Sequence, residues 1–114
     1  MKDDTQLMKG ILEGCVLSVI ARGETYGYQI LSCLEAEGFD DLGEGTLYPV
    51  LTRLDKNGYI SCRKGKSPLG PIRKYYTITE AGTAYLEEFK SNFTKVTTCA
   101  SQVLFGTEGS KKCN

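Results

Sequence analysis

Residues 44–58, EGTLYPVLTRLDKNG, predict one short helix with two different faces. Four aliphatic side chains recur at positions i, i+3, i+4 and i+7, a spacing that gathers apolar residues on one side of a helix. They are Leu47, Val50, Leu51 and Leu54. The other side carries hydroxyl groups, an aromatic ring and cations. We therefore expect one face to lie in a core and the other to bind a partner.

Both ends of this helix are predicted by its sequence. With Thr46 as the N-cap, Pro49 falls in the first turn, where the missing N–H of proline has no helical partner. Gly58 stands where glycine commonly ends a helix. The first turn would then present free N–H groups and the positive end of the helix dipole, which favours binding of a phosphate.

Two further helices are predicted before this one. The first covers residues 5–21, and its later half, residues 15–21, is apolar nearly all round, so it must be covered on more than one side. Thr25 is the predicted N-cap of the second helix, over residues 26–37. A short connection, residues 39–43, leads into the two-faced helix, which gives a helix-turn-helix order.

After the third helix the hydrophobic period changes from 3.6 to 2. Residues 59–62 predict a strand, residues 63–71 a turn-rich basic loop, and residues 72–78 a returning strand, so the three together predict a hairpin with a cationic tip. Thr79 is the predicted cap of a final helix over residues 80–105. The predicted fold is mainly α with a small β-hairpin, a winged helix-turn-helix followed by a long C-terminal dimerisation helix.

The final helix carries apolar residues spaced 3, 4, 3, 4 and 3 apart, the seam of a helix that packs on another helix. These are Leu86, Phe89, Phe93, Val96, Ala100 and Val103. With Ile11 and Val16 of the first helix, they form the predicted homodimer interface. The alternative is that the final helix packs back on its own chain. The predicted units are residues 1–78 for the DNA-binding domain, residues 79–105 for the dimerisation helix and residues 106–114 for a polar tail.

Charge is unevenly distributed, although the formal net charge is zero. Residues 1–60 hold five Lys/Arg and ten Asp/Glu, whereas residues 61–78 hold five Lys/Arg and no acid. A basic patch beside a helix-turn-helix indicates nucleic acid as the partner. A solvated basic turn is the alternative interpretation of this patch. Acidic residues near the third helix, at positions 40, 41 and 44, predict strongly salt-dependent binding.

Other functions have little support in the sequence. The five cysteines form no C-x-x-C pair and there is no histidine, so we expect no metal site, no cofactor and no enzyme. The cysteines are expected to be small apolar residues, with Cys113 a free thiol in the tail, and a redox sensor is the alternative. No apolar run is long enough to span a membrane, and we expect a cytoplasmic protein.

Five stretches, taken in order, resemble the signature of the PadR-like transcriptional regulators over about residues 8–86. They are Tyr26-Gly27-Tyr28, the run Gly45-Thr46-Leu47-Tyr48-Pro49 with its continuation to Gly58, Gly70-Pro71, Arg73-Lys74-Tyr75-Tyr76 and Thr79-Glu80-Ala81-Gly82. The resemblance implies a dimeric bacterial repressor that binds an operator in double-stranded DNA and is released by a small aromatic ligand. Two-fold symmetry would make that operator palindromic.

The candidate site residues follow from the resemblance and from helix-turn-helix geometry, in which the second helix enters the major groove. Those expected at DNA are Tyr26, Thr46, Tyr48, Pro49, Arg53, Lys56, Lys64, Lys66, Arg73 and Lys74. Those expected to line a ligand pocket are Ile11, Cys15, Tyr85, Phe89 and Phe93. Tyr26 and Tyr48 have an alternative role as half-buried core aromatics. A winged-helix module that binds another protein is the alternative function.

Overall fold

The computed structural model describes residues 5–106, which form four helices and a three-stranded antiparallel sheet. In chain order the elements are α1 (Thr5–Ile20), β1 (Thr25–Tyr26), α2 (Gly27–Ala36), α3 (Glu44–Lys56), β2 (Ile60–Lys66), β3 (Ile72–Ile78) and α4 (Glu80–Phe105). The predicted polar tail from residue 107 onward, which includes Cys113, lies outside the described residues. None of the helices within residues 5–106 is both long and apolar enough to cross a membrane.

Helix α1 is the centre of the core. It packs against α2, α3, α4 and β3, and its side chains Val16, Leu17 and Ile20 are almost completely buried. This explains why the helix is apolar nearly all round, but the cover comes from its own chain. The prediction that Val16 contacts a second subunit is therefore wrong, because its side chain is 0% exposed.

The apolar stripe of α3 is buried as predicted, but the helix begins earlier than expected. Gly43 is the N-cap, and its carbonyl accepts from the N–H groups of Thr46 and Leu47 at 3.1 and 3.0 Å. Leu42 and Leu47 flank this cap and are both buried, which is the arrangement of a hydrophobic staple. Thr46 is thus inside the helix and Pro49 lies in its second turn, not its first.

The C-terminal end of α3 agrees with the prediction. Asn57 is the C-cap, and Gly58 has a φ of 82°, a left-handed conformation that glycine adopts without steric cost. The next residue, Tyr59, donates its N–H to the carbonyl of Leu54 at 2.9 Å, which satisfies one carbonyl of the last turn.

The sheet differs from the predicted hairpin in two ways. Thr25 does not cap α2 but lies in a short strand β1, which pairs with β3 and gives the strand order β1-β3-β2. Strand β2 continues to Lys66, so Arg63, Lys64 and Lys66 lie on a strand and not in a loop. The ladder extends from Ile60 opposite Ile78 to Lys66 opposite Ile72, so backbone pairing overrides the turn-rich composition.

Helix α4 has the predicted bounds, and Thr79 is its N-cap, accepting from the N–H of Gly82 at 3.0 Å. Leu86 belongs to the chain's own core at 5% exposure, so its assignment to a dimer interface is wrong. Beyond residue 90 every described residue of the helix is exposed, including Phe93 at 43% and Val103 at 83%. The second half of α4 therefore extends past the domain.

Cysteine placement follows the prediction in part. Cys15, Cys33 and Cys62 are free, half-buried and packed against the core. Burial raises the pKa of the Cys15 thiol. Cys99 is exposed on α4, contrary to the expectation of a buried apolar residue.

Candidate nucleic-acid interface

Tyr48 projects from the first half of α3 toward the start of α2, with 42% of the residue exposed. It lies directly against Gly27: a Cβ atom at that position would be 3.0 Å from Cζ of the ring and closer still to the hydroxyl oxygen. Any residue larger than glycine would displace the phenol. Gly27 therefore permits the observed position of Tyr48, and the ring is not a core residue.

A cleft of about 440 Å³ opens where α2, α3 and β3 meet. We call it the tyrosine cleft; its lining residues are Tyr26, Gly27, Tyr28, Tyr48, Ile72, Arg73, Lys74 and Tyr76. Strand β1 pairs with β3 only at Tyr75 and Tyr76, so β3 has no partner strand on this side from Ile72 to Lys74. Helix α2 begins beside the cleft without a side-chain cap, which leaves N–H groups of its first turn for another acceptor.

The two arginines of the sheet stack on aromatic rings. The guanidinium of Arg73 lies 3.9 Å from the centroid of the Tyr26 ring, and that of Arg63 lies 4.6 Å from the Tyr75 ring. The two tyrosine rings meet edge to face at 5.9 Å. Such cation–π contacts restrict a long side chain while leaving its charge at the surface.

Not every cation of the wing, the hairpin of β2 and β3, is available to a ligand. Arg63 donates to both carboxylate oxygens of Glu24, at 2.6 and 2.9 Å. Its hydrogen bonds lower the pKa of the Glu24 carboxyl, so Glu24 stays ionised and neutralises Arg63. Lys64 and Lys74 stand directly opposite each other in the ladder. Like charges in this register repel each other, and an anion placed between them would relieve the repulsion.

The predicted DNA-binding residues fall into four groups. Tyr26, Tyr48, Arg73 and Lys74 line the tyrosine cleft, and Lys64 and Lys66 extend along β2. Thr46, Pro49 and Lys56 are exposed on α3. Arg53 is set apart on the α1 side, where its Nε lies 3.6 Å from Oε2 of Glu13.

Several residues of this surface escaped the sequence reasoning. Tyr28 and Ile72 line the cleft, and Glu13 and Glu24 each pair with an arginine. The Tyr-Gly-Tyr motif beside a predicted helix start could have indicated Tyr28. Nothing in the local sequence signals the two acids, because their partners are distant along the chain.

The pocket residues predicted from the sequence lie mainly in a groove between α1 and α4. Phe89 and Phe93, with ring centroids 6.4 Å apart, line both of its cavities, of about 370 and 460 Å³; Cys15 lines the first and Ile11 the second. Tyr85 lines neither cavity. Its hydroxyl donates to Oε1 of Glu13 at 3.1 Å, and its ring stacks on Tyr59. Burial raises the pKa of Tyr85, and the negative charge of Glu13 and this hydrogen bond raise it further.

The model of the transcriptional regulator PadR-like family matches residues 16–88 of this sequence. The chain belongs to the PadR-like family. The match covers the core of the winged helix-turn-helix, from the last five residues of α1 to the first half of α4.

Solved structures agree with this placement of the PadR-like chain. A PadR-like transcriptional regulator from Bacillus cereus is 43% identical with a TM-score of 0.78, over 90% of this chain and 99% of that one. A Streptococcus transcriptional regulator is 38% identical with a TM-score of 0.76, over 86% and 96%. Bacillus subtilis PadR in complex with operator DNA is 27% identical with a TM-score of 0.63, over 69% of this chain and 46% of that one. A protein of Lysinibacillus sphaericus described as uncharacterized is 35% identical over 95 residues, 81% of this chain and 86% of that protein.

The predicted fold class is thereby confirmed. The PadR-like chain is a mainly helical winged helix-turn-helix with a long C-terminal helix, and its relatives are transcriptional regulators.

Proposed function

We propose that this chain is a DNA-binding transcriptional repressor that acts as a homodimer in the cytoplasm, on a palindromic operator. The observation that carries the proposal is the tyrosine cleft, where phenols, two cations and the start of α2 face one space between the wing and α3, the proposed recognition helix. The solved complex of Bacillus subtilis PadR with operator DNA supports the choice of partner.

Docking follows from the positions of α3 and the sheet. With α3 in the major groove, Thr46, Tyr48 and Pro49 approach base edges and the adjacent backbone. A phosphate at the tyrosine cleft would meet Arg73 and Lys74 together with the N–H groups of α2. Lys64 and Lys66 reach the backbone or the minor groove beyond, where negative potential is concentrated. Lys56 and Arg53 lie further along α3, toward neighbouring phosphates.

Dimerisation is proposed to use the exposed half of α4. The side chains of Phe93, Val96 and Val103 form an apolar row that its own domain does not cover. Phe89, Ala100 and Ile11 adjoin this row along the groove. A second copy would remove this apolar surface from water, which is the main driving force for such association. Two-fold symmetry then places two recognition helices about one DNA turn apart.

Release by a ligand is proposed to act at the α1/α4 groove. Its lining is mostly apolar and includes two phenylalanine rings, which suits a small planar aromatic compound. A compound bound there would contact the same residues as the partner subunit, so it could change the spacing of the two recognition helices.

Binding isotherms at three salt concentrations, on operator and scrambled duplexes, test the proposal. Lys64→Ala with Lys66→Ala should weaken binding to both duplexes and flatten the plot of log affinity against log salt by up to about one unit per lost phosphate contact. Tyr48→Ala should cost on the order of 1–3 kcal/mol on the operator and little on scrambled DNA. Arg53→Ala should resemble the wing variant.

A matched control removes two exposed lysines elsewhere, Lys9→Ala with Lys95→Ala. It changes net charge equally and should leave the salt slope nearly unchanged. Binding of the unaltered protein that shows no salt dependence would reject DNA as the partner and favour a protein-binding module. Equal losses by Tyr48→Ala on both duplexes would make Tyr48 a backbone anchor.

A further inference from the structure

One carboxylate, that of Glu13 on α1, is shared between the recognition helix and α4. Its Oε1 accepts from the Tyr85 hydroxyl at 3.1 Å, and its Oε2 lies 3.6 Å from Nε of Arg53. The Glu13 side chain is only 22% exposed, whereas that of Arg53 is 55% exposed. The acid is thus enclosed between helices while the cation remains open to solvent.

The ion pair of Arg53 with Glu13 is longer than a second arginine–glutamate pair in the same chain. Arg63 and Glu24 form two direct hydrogen bonds at 2.6 and 2.9 Å, the usual length for a charge-assisted bond. The Arg53 pair is longer and lies outside hydrogen-bond range. The other oxygen of Glu13 accepts the hydrogen bond from Tyr85, so the same carboxylate lies between both side chains.

Tyr85 is itself held by the end of α3. Its ring stacks on Tyr59 with a centroid distance of 4.3 Å and an interplanar angle of 12°. The carbonyl of Tyr59 accepts from the Thr79 N–H at 3.0 Å, and the Thr79 hydroxyl donates to the carbonyl of Gly58 at 2.7 Å. These contacts join the first turns of α4 to the end of α3.

The α1/α4 groove adjoins this contact on both helices. Gly14 and Cys15 follow Glu13 on α1, and Phe89 lies one turn after Tyr85 on α4. The Phe89 ring occupies the space that a side chain at position 14 would take. A change in the distance between α1 and α4 at the groove would therefore alter the bond from Tyr85 to Glu13.

We propose that Glu13 is a positioning residue of the DNA-binding surface. The position of α4 determines, through Glu13, whether Arg53 can bind a phosphate. This role of Glu13 rests on the proposed function, and it would connect a ligand in the α1/α4 groove with a change in DNA binding. While Tyr85 holds Glu13, Arg53 is available to a phosphate. When Tyr85 withdraws, the carboxylate closes on Arg53 and competes with the phosphate for its charge, so affinity for DNA falls.

Two substitutions should act in opposite directions. Glu13→Gln keeps an acceptor for Tyr85 but removes the competing charge, so binding to duplex DNA should tighten about two- to fivefold, the range of a surface ion pair. Tyr85→Phe releases Glu13 to close on Arg53 and should weaken binding by a similar factor of about two to five. The slope of log affinity against log salt should steepen in the first variant and flatten in the second, by up to about one unit.

Two controls match the changes in charge and in phenol content. Glu87→Gln removes an acid from the exposed surface of α4, where it pairs with Lys90. Tyr59→Phe removes the hydroxyl of the ring that stacks on Tyr85. That hydroxyl makes no hydrogen bond within residues 5–106. Both effects should disappear when Arg53→Ala is added, and thermal unfolding of each variant shows that the fold is retained.

The outcomes are separable. Opposite shifts that require Arg53 support the proposal. Shifts of the same sign, shifts equal to those of the controls, or shifts that persist with Arg53→Ala overturn it, while the loss of binding by Lys64→Ala with Lys66→Ala would still support DNA as the partner. Absence of duplex binding by the unaltered protein overturns both proposals.

Discussion

Replacing Gly27 by alanine should displace Tyr48 without removing it. The added Cβ would lie 3.0 Å from Cζ and 3.3 Å from Cε1 of the ring, and ordinary contact begins at 3.4 Å. The ring carbon must therefore retreat by at least 0.4 Å (3.4 − 3.0), and the hydroxyl oxygen, which is nearest to the added atom, must move further. A hydrogen bond is weakened by a change of this size.

The expected loss is in binding and not in stability. A hydrogen bond between neutral groups, such as a phenol and a base edge, is worth about 0.5–1.5 kcal/mol, so displacing the phenol should weaken operator binding by roughly twofold to thirteenfold. The clash involves the end of a flexible side chain, and Gly27 has no left-handed backbone, so replacing it by alanine should stabilise the fold by about 0.4–1 kcal/mol through the unfolded state. The melting temperature should therefore stay the same or rise.

Fluorescence anisotropy with labelled operator measures the change, and a double-mutant cycle isolates its cause. Once Tyr48→Ala has removed the ring, the Cβ atom added by Gly27→Ala no longer clashes with it, so Gly27→Ala should cause no further loss of operator affinity. Unchanged affinity of Gly27→Ala beside a clear loss in Tyr48→Ala would refute the assigned contact of the phenol. So would an equal loss from Gly27→Ala in the presence and absence of the ring.

Three further changes test the dimer, the core and the charge pairing. Phe93→Asp places a carboxylate in the apolar row of α4, so sedimentation should show monomers, and a variant that stays dimeric would remove α4 from the interface. Gly82→Ala puts a Cβ atom 2.9 Å from the carbonyl carbon of Tyr59, which is backbone and cannot turn aside, so we expect a loss of about 1–3 kcal/mol in unfolding free energy by denaturant titration. Arg63 lowers the pKa of Glu24, so this pair stabilises the fold above the ordinary carboxyl pKa and its contribution is lost as pH falls through the lowered value; thermal unfolding of Glu24→Gln against pH should lack that component.

Much of the fold follows from the sequence alone because the signals are local. The stripe of Leu47 to Leu54, the left-handed Gly58 and the cap at Thr79 each depend on residues within a few positions, and all three were predicted correctly. Half of the residues that line the tyrosine cleft were candidates from the sequence, because signature motifs and runs of charge are local.

Several features that the sequence could not decide depend on residues that are distant along the chain. Whether α1 is covered by its own domain or by a partner, and whether Thr25 caps a helix or joins a sheet, is decided by packing. Glu24 meets Arg63 across 39 positions and Glu13 meets Tyr85 across 72. Periodicity and capping patterns extend over a few turns at most, so they predict elements and their exposed faces. Only the tertiary structure decides which acid stands beside which cation, and therefore which charges of this surface remain available to DNA.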